Sequence, residues 1–221
     1  IVLDENRAKI TWSTPQTGAN GGWIDASALT YKITRLPDSI VVAETTTGNE
    51  YIDNSITKLN IYSYQIQAIT PDGAGPTATT DRLVMGPALT VPYRCNFATD
   101  DQFALWNVTD ANNDEYTWKR ETTLAAAYYS YNEDGETGGD DWLVSSPIHL
   151  EKNKIYRLKF KLQSYDVGYP EKVAVHLGTG ASVAEQTTLL GDYEVESNTF
   201  VEYKVILPER LESGNYHISF H

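Results

Sequence analysis

Apolar and polar residues alternate one by one along nearly every stretch of this chain. Tyr156, Leu158, Phe160 and Leu162 are interleaved with Arg157, Lys159 and Lys161. Val173, Val175 and Leu177 bracket Ala174 and His176, and Val201, Tyr203, Val205 and Leu207 repeat the scheme, as do Tyr216, Ile218 and Phe220. In the first half, Tyr62, Tyr64, Ile66 and Ala68 alternate with Ser63, Gln65 and Gln67. Period two sends successive side chains to opposite faces of a strand, one face buried and the other wet. No apolar stripe at helical spacing competes with it. Leu124 to Ala127, the best helical stretch, runs into Tyr128-Tyr129-Ser130-Tyr131 and reads as strand.

Turn signals punctuate these runs: Asn20-Gly21-Gly22, Asp72-Gly73, Gly138-Gly139 and Ser213-Gly214-Asn215. Many short strands with regular breaks predict an all-β fold of the sandwich type. The 221 residues suffice for two cores. A change of rhythm at Met85-Gly86-Pro87 predicts two β-sandwich domains, residues 1–86 and 89–221.

The charge is uneven. Residues 1–88 carry 9 acidic and 6 basic side chains, and residues 89–221 carry 21 and 11, so the second part supplies most of the net −13. Like-charge repulsion disfavours nucleic acid and anionic membrane as partners and suits divalent cations. Cys95 is the single cysteine, so no intramolecular disulfide forms. No run approaches the roughly 18 apolar residues of a membrane helix. A start at Ile1 without a leader is what a piece of a longer, exported protein would show.

Catalytic signatures are missing from the sequence. There is no Gly-x-Ser-x-Gly elbow, His-Glu-x-x-His pair or phosphate-binding Gly-Lys loop. The four histidines are scattered, and His176, His217 and His221 occupy the wet positions of their strands. The chain is therefore expected not to be an enzyme.

Asp110, Asn112 and Asp114 stand at i, i+2, i+4, a spacing that can aim three oxygen side chains at one Ca²⁺. The alternative is a solvated turn in which Asp and Asn cap their own backbone. Asp134, Glu136, Asp140 and Asp141 form a second acidic group that could add ligands. For recognition, Tyr165 and Tyr169 in Ser164-Tyr165-Asp166-Val167-Gly168-Tyr169-Pro170, and Trp23 beside two glycines, are the aromatic candidates. Trp118 and Trp142 read as core.

Residues 1–86 resemble a fibronectin type III domain. Ile10-Thr11-Trp12 with Pro15 matches that family's second strand, and 29–35 its third. Ile56, then Tyr62 and alternation to Ala68, matches its tyrosine corner, in which a buried Tyr hydroxyl reaches nearby backbone. Residues 89–221 resemble the cleaved-adhesin or choice-of-anchor J jelly rolls, MAM-like sandwiches of bacterial surface proteins and gingipain haemagglutinin regions. The matching residues are Phe97, Phe103, Trp106, Trp118, the run Asp140-Asp141-Trp142-Leu143-Val144-Ser145-Ser146-Pro147-Ile148, Tyr156 to Phe160, and Gly214 to His221. The second resemblance implies structural Ca²⁺. It also implies one more strand beyond His221, without which an open sheet edge would invite self-association.

Together these readings lead to an extracytoplasmic, secreted or surface-exposed adhesion region that binds glycan or protein. The other readings are a carbohydrate-binding accessory module of an enzyme and a purely structural spacer.

Overall fold

A computed structural model describes residues 2–4, 6–130, 138–209 and 211–221. The chain is nearly all β and divides into two compact units, Ile1–Pro87 and Ala88–His221. Among the described residues no helix is long and apolar enough to cross a membrane.

In the first unit, strands β1 (Val2–Asp4), β2 (Arg7–Thr11) and β5 (Glu50–Asp53) form one antiparallel sheet. Strands β3 (Thr30–Leu36), β4 (Ile40–Thr46), β6 (Asn60–Thr70) and β7 (Gly73–Thr79) form the other in the order β4-β3-β6-β7, and β8 (Leu83–Met85) also pairs with β6. The alternation works as the sequence requires. Tyr31 and Ile33 on β3, Ile10 on β2, and Tyr62, Tyr64 and Ile66 on β6 point into one core with Ile56 and Met85. Trp12 packs its ring 5.0 Å from that of Tyr31. The Tyr62 hydroxyl donates to the Lys58 carbonyl at 2.8 Å, closing the corner where β6 begins. Gly86 seals the same corner with φ +131°, and a Cβ there would lie 2.2 Å from that carbonyl.

The core also holds an ionic cluster that alternation does not announce. Arg35, 4% exposed, donates to Asp53 at 2.9 Å and to Asp38 at 2.6 Å. Asp53, 1% exposed, accepts from Ser55 hydroxyl and amide and from the Tyr64 hydroxyl. Burial pushes the Asp53 carboxyl up, but the Ser55, Tyr64 and Arg35 donors outweigh it and hold the group below the usual carboxylate range.

The second unit begins with β9 (Leu89–Thr90) and a short helix α1 (Asp100–Ala104), capped by Thr99. This helix departs from the strand-only expectation, because five residues leave no periodicity to read. Then follow β10 (Asn107–Asp110), β11 (Trp118–Glu121), β12 (Ala126–Tyr129), β13 (Asp141–Val144), β14 (Ile148–Leu150), β15 (Arg157–Leu162), β16 (Glu171–Gly178), β17 (Thr188–Val195), β18 (Val201–Ile206) and β19 (Gly214–Phe220).

The main sheet runs β10-β13-β19-β14-β9, with β16 on the other side of β19 and β17 beyond it. β19 is long enough to pair with both β13 and β14, the two halves of one broken strand. β15 and β18 form a separate two-stranded sheet. Val175, Leu177 and Ile218 of the main sheet meet Leu158 and Phe160 of β15 in the second apolar core.

One placement refines the sequence reading and another corrects it. Trp142 is buried but lies outside that apolar cluster. It shares the opposite face of the main sheet with the histidines, where His221 stacks on it at 4.2 Å and His176 tilts against it at 5.0 Å. His217, expected on a wet position, is buried 2.6 Å from the Ser145 carbonyl. That face is polar but covered, because the turn carrying Gln186 folds over it and accepts from the buried Ser219 hydroxyl at 2.9 Å.

Candidate functional site

The acidic segment after β10 folds into a turn that caps its own backbone. Asp110 accepts from the amides of Asp114 (3.3 Å) and Glu115 (2.9 Å), and Asp114 accepts from the Tyr116 amide at 2.9 Å. Asn113 and Glu115 take φ values of 57° and 68°, as a tight turn demands. Asn112 turns inward and donates to Asp114 at 3.2 Å and to the Gly138 carbonyl at 3.3 Å.

Strand register brings a second acid to this turn. Asp110 and Asp141 are direct cross-strand partners on β10 and β13. Asp141 is only 4% exposed, and both of its carboxylate oxygens are buried with no hydrogen bond of good geometry, although the Thr117 and Tyr129 hydroxyls lie beside it. The Asn112 side-chain oxygen and the Thr117 hydroxyl are likewise buried and unsatisfied. Burial, and then the charges of Asp110 and Asp114, push the Asp141 carboxyl up. Burial and the same carboxylates push the Tyr129 hydroxyl up to about 12. Both shifts share one cause, carboxylates held close together at a buried position.

Every group that converges here is a hard oxygen donor. Among the described residues, however, no three carboxylate, imidazole or thiol groups are drawn together into a finished metal cage. Asp140 points elsewhere: its Oδ1 accepts from Trp142 Nε1 at 3.2 Å and meets His221 Nε2 at 3.1 Å. Asp134 and Glu136 lie outside the described residues. Thr117 carries no signal in the sequence and joins the group only through the fold.

The aromatic candidates stand well out of the surface. Tyr165 is 89% exposed and Tyr169 is 74% exposed. Their turn is internally fixed. Asp166 accepts from the Gly168 amide at 2.8 Å through its carboxylate and from the Tyr169 amide at 3.2 Å through its carbonyl. The Ser164 amide anchors the turn to the Ser197 carbonyl at 2.8 Å. Trp23, 86% exposed, follows a turn closed by the Gly18 amide on the Gly22 carbonyl, and the next residue, Ile24, returns to the first core. Trp23 belongs to the first unit and the tyrosines to the second.

No protein-family profile and no curated protein matches the sequence. Solved structures do. The K1 cleaved adhesin domain of Lys-gingipain from Porphyromonas gingivalis W83 is 21% identical, over 53% of this chain and 80% of that one, with a TM-score of 0.43. The K3 cleaved adhesin domain of the same protein is 20% identical over the same shares, with a TM-score of 0.41. A carbohydrate-binding module of the β-sandwich superfamily is 12% identical over 99% of this chain and 97% of that one, with a TM-score of 0.28.

Proposed function

We propose that this chain is a non-catalytic binding region of an extracytoplasmic, secreted or surface-exposed protein, and that it contacts glycan or protein through the loop of Tyr165 and Tyr169. The observation that supports this most is the pair of exposed aromatic rings on a turn held by its own hydrogen bonds. Large rings left in water cost free energy unless a partner covers them, and an ordered turn loses little entropy when it does. A sugar ring is a partner of the right size and chemistry, with its apolar face on the phenol and its hydroxyls toward Asp166.

In this reading, residues 1–86 form a fibronectin type III-like domain. The sheet orders and the Tyr62–Lys58 corner favour it. Residues 89–221 form the jelly-roll-like binding domain. A structural Ca²⁺ would be held by Asn112, Thr117 and Asp141, whose unsatisfied buried oxygens suit a hard cation, together with the facing carboxylates of Asp110 and Asp114. It would neutralise the facing carboxylates and tie the turn after β10 to β13. A glycan array probed with the wild type and with Tyr165→Ala/Tyr169→Ala tests the proposal. Binding that the double variant loses supports it, and binding that the variant keeps overturns it.

A further inference from the structure

The second unit carries net negative charge, yet one of its surfaces is basic. On β15 the burial alternates strictly, with Leu158, Phe160 and Leu162 turned in and Arg157, Lys159 and Lys161 turned out. On β18, Glu202, Lys204 and Ile206 are the exposed positions of the paired face. Four cations therefore share a two-stranded surface with one carboxylate. Glu202 forms its ion pair with Lys204 at 2.9 Å. Among the described residues, no ion pair engages Arg157, Lys159 or Lys161.

The register places one like-charge pair on this face. Lys159 lies directly opposite Lys204, and like charges at that position repel. The same register sets Lys161 opposite Glu202, so this one carboxylate faces three lysines and leaves the face with an excess of positive charge. The strand beneath is packed through aromatic rings: Phe160 stacks on Tyr203 at 5.7 Å and packs edge-on against Phe220 at 5.4 Å. The three β15 cations recur about every 7 Å, the two-residue repeat of a strand.

The row then leads to the aromatic turn. β15 ends at Leu162, and Tyr165 lies four residues beyond Lys161, within about 14 Å along the chain. Exposed Ile155 precedes the row and exposed Phe200 precedes β18. A line of spaced cations followed by aromatic rings suits a polymer in which charged groups and flat apolar ring faces alternate. A duplex or single-stranded nucleic acid would present its denser charge to the whole acidic surface around this narrow strip.

We infer that the outer face of β15 and β18 binds a linear acidic polysaccharide, with Arg157, Lys159, Lys161 and Lys204 meeting its sulfate or carboxylate groups. This rests on the reading of Tyr165 and Tyr169 as the adjoining platform, and it names the ligand class for that surface.

The test uses the whole chain on immobilised heparin, polygalacturonate, neutral dextran and single-stranded poly-dT. Retention on heparin or polygalacturonate should weaken roughly tenfold between 50 and 200 mM salt. Lys159→Gln/Lys161→Gln should lose about tenfold in that affinity. Its melting temperature should stay close to the wild type, since relief of the Lys159–Lys204 repulsion offsets the loss of Lys161 opposite Glu202. No retention on either acidic polymer, unchanged affinity in the lysine variant, or equal affinity for poly-dT would overturn the inference. Acidic-polymer binding that survives Tyr165→Ala/Tyr169→Ala but not the lysine changes would support the basic face while removing the aromatic platform. The converse result would remove the basic face alone.

Discussion

Asp110 and Asp141 face each other across the β10–β13 ladder, and the buried carboxylate of Asp141 has no well-formed hydrogen bond to offset its burial. Two like charges in that position destabilise a strand pair, and an unsatisfied buried carboxylate adds its own cost. Added Ca²⁺ should raise the melting temperature, and chelation should reverse the rise. Asp141→Asn should abolish the Ca²⁺ response and leave the metal-free protein as stable as the wild type or more so. Differential scanning fluorimetry with and without chelator checks both, and a metal-free Asp141→Asn protein that melts well below the wild type would count against the arrangement.

The Arg35–Asp53 pair should behave in the opposite way. Removing one partner strands a buried charge, so Asp53→Ala should cost about 3–5 kcal/mol. Denaturant unfolding of the first unit measures this.

The same pair gives a pH dependence. Asp53 is held below its unfolded value near 3.8, so its contribution is fully present above that pH. It is lost as the pH falls through the lower folded value. The first unit should therefore lose stability steeply below about pH 4. Asp53→Asn should flatten that limb of the melting-temperature profile. An unchanged acid limb in the variant would contradict the assignment.

Tyr62→Phe removes one hydrogen bond and keeps the buried ring, so the expected cost is about 1 kcal/mol. Gly86→Ala should cost more, because both its φ of +131° and the 2.2 Å approach of the Lys58 carbonyl oppose a side chain there. Urea unfolding of the two variants side by side ranks them.

Tyr165→Ala and Tyr169→Ala should leave the melting temperature within about 1 °C of the wild type, because exposed positions contribute little to stability. A large drop would show that these rings serve the fold rather than a ligand.

What could be read from the chain alone is whatever depends on neighbours in sequence. Alternation in 156–162 and 62–68 specified strands and their buried faces, since period two is a property of a strand by itself. Ile56 and Tyr62 are close enough in sequence to mark a corner, and Asp110, Asn112 and Asp114 to make a turn, whereas the Lys58 carbonyl as acceptor and Gly86 as the seal came from the fold. Tertiary structure decided the rest. Asp141 reaches Asp110 because β13 pairs with β10 in one register, and a slip by one residue would turn it to the other face. Arg35 finds Asp53 from 18 residues away. His217, on a position that alternation marks as wet, is buried by the turn of Gln186, because period two sorts residues between two faces but cannot say which loops later cover them.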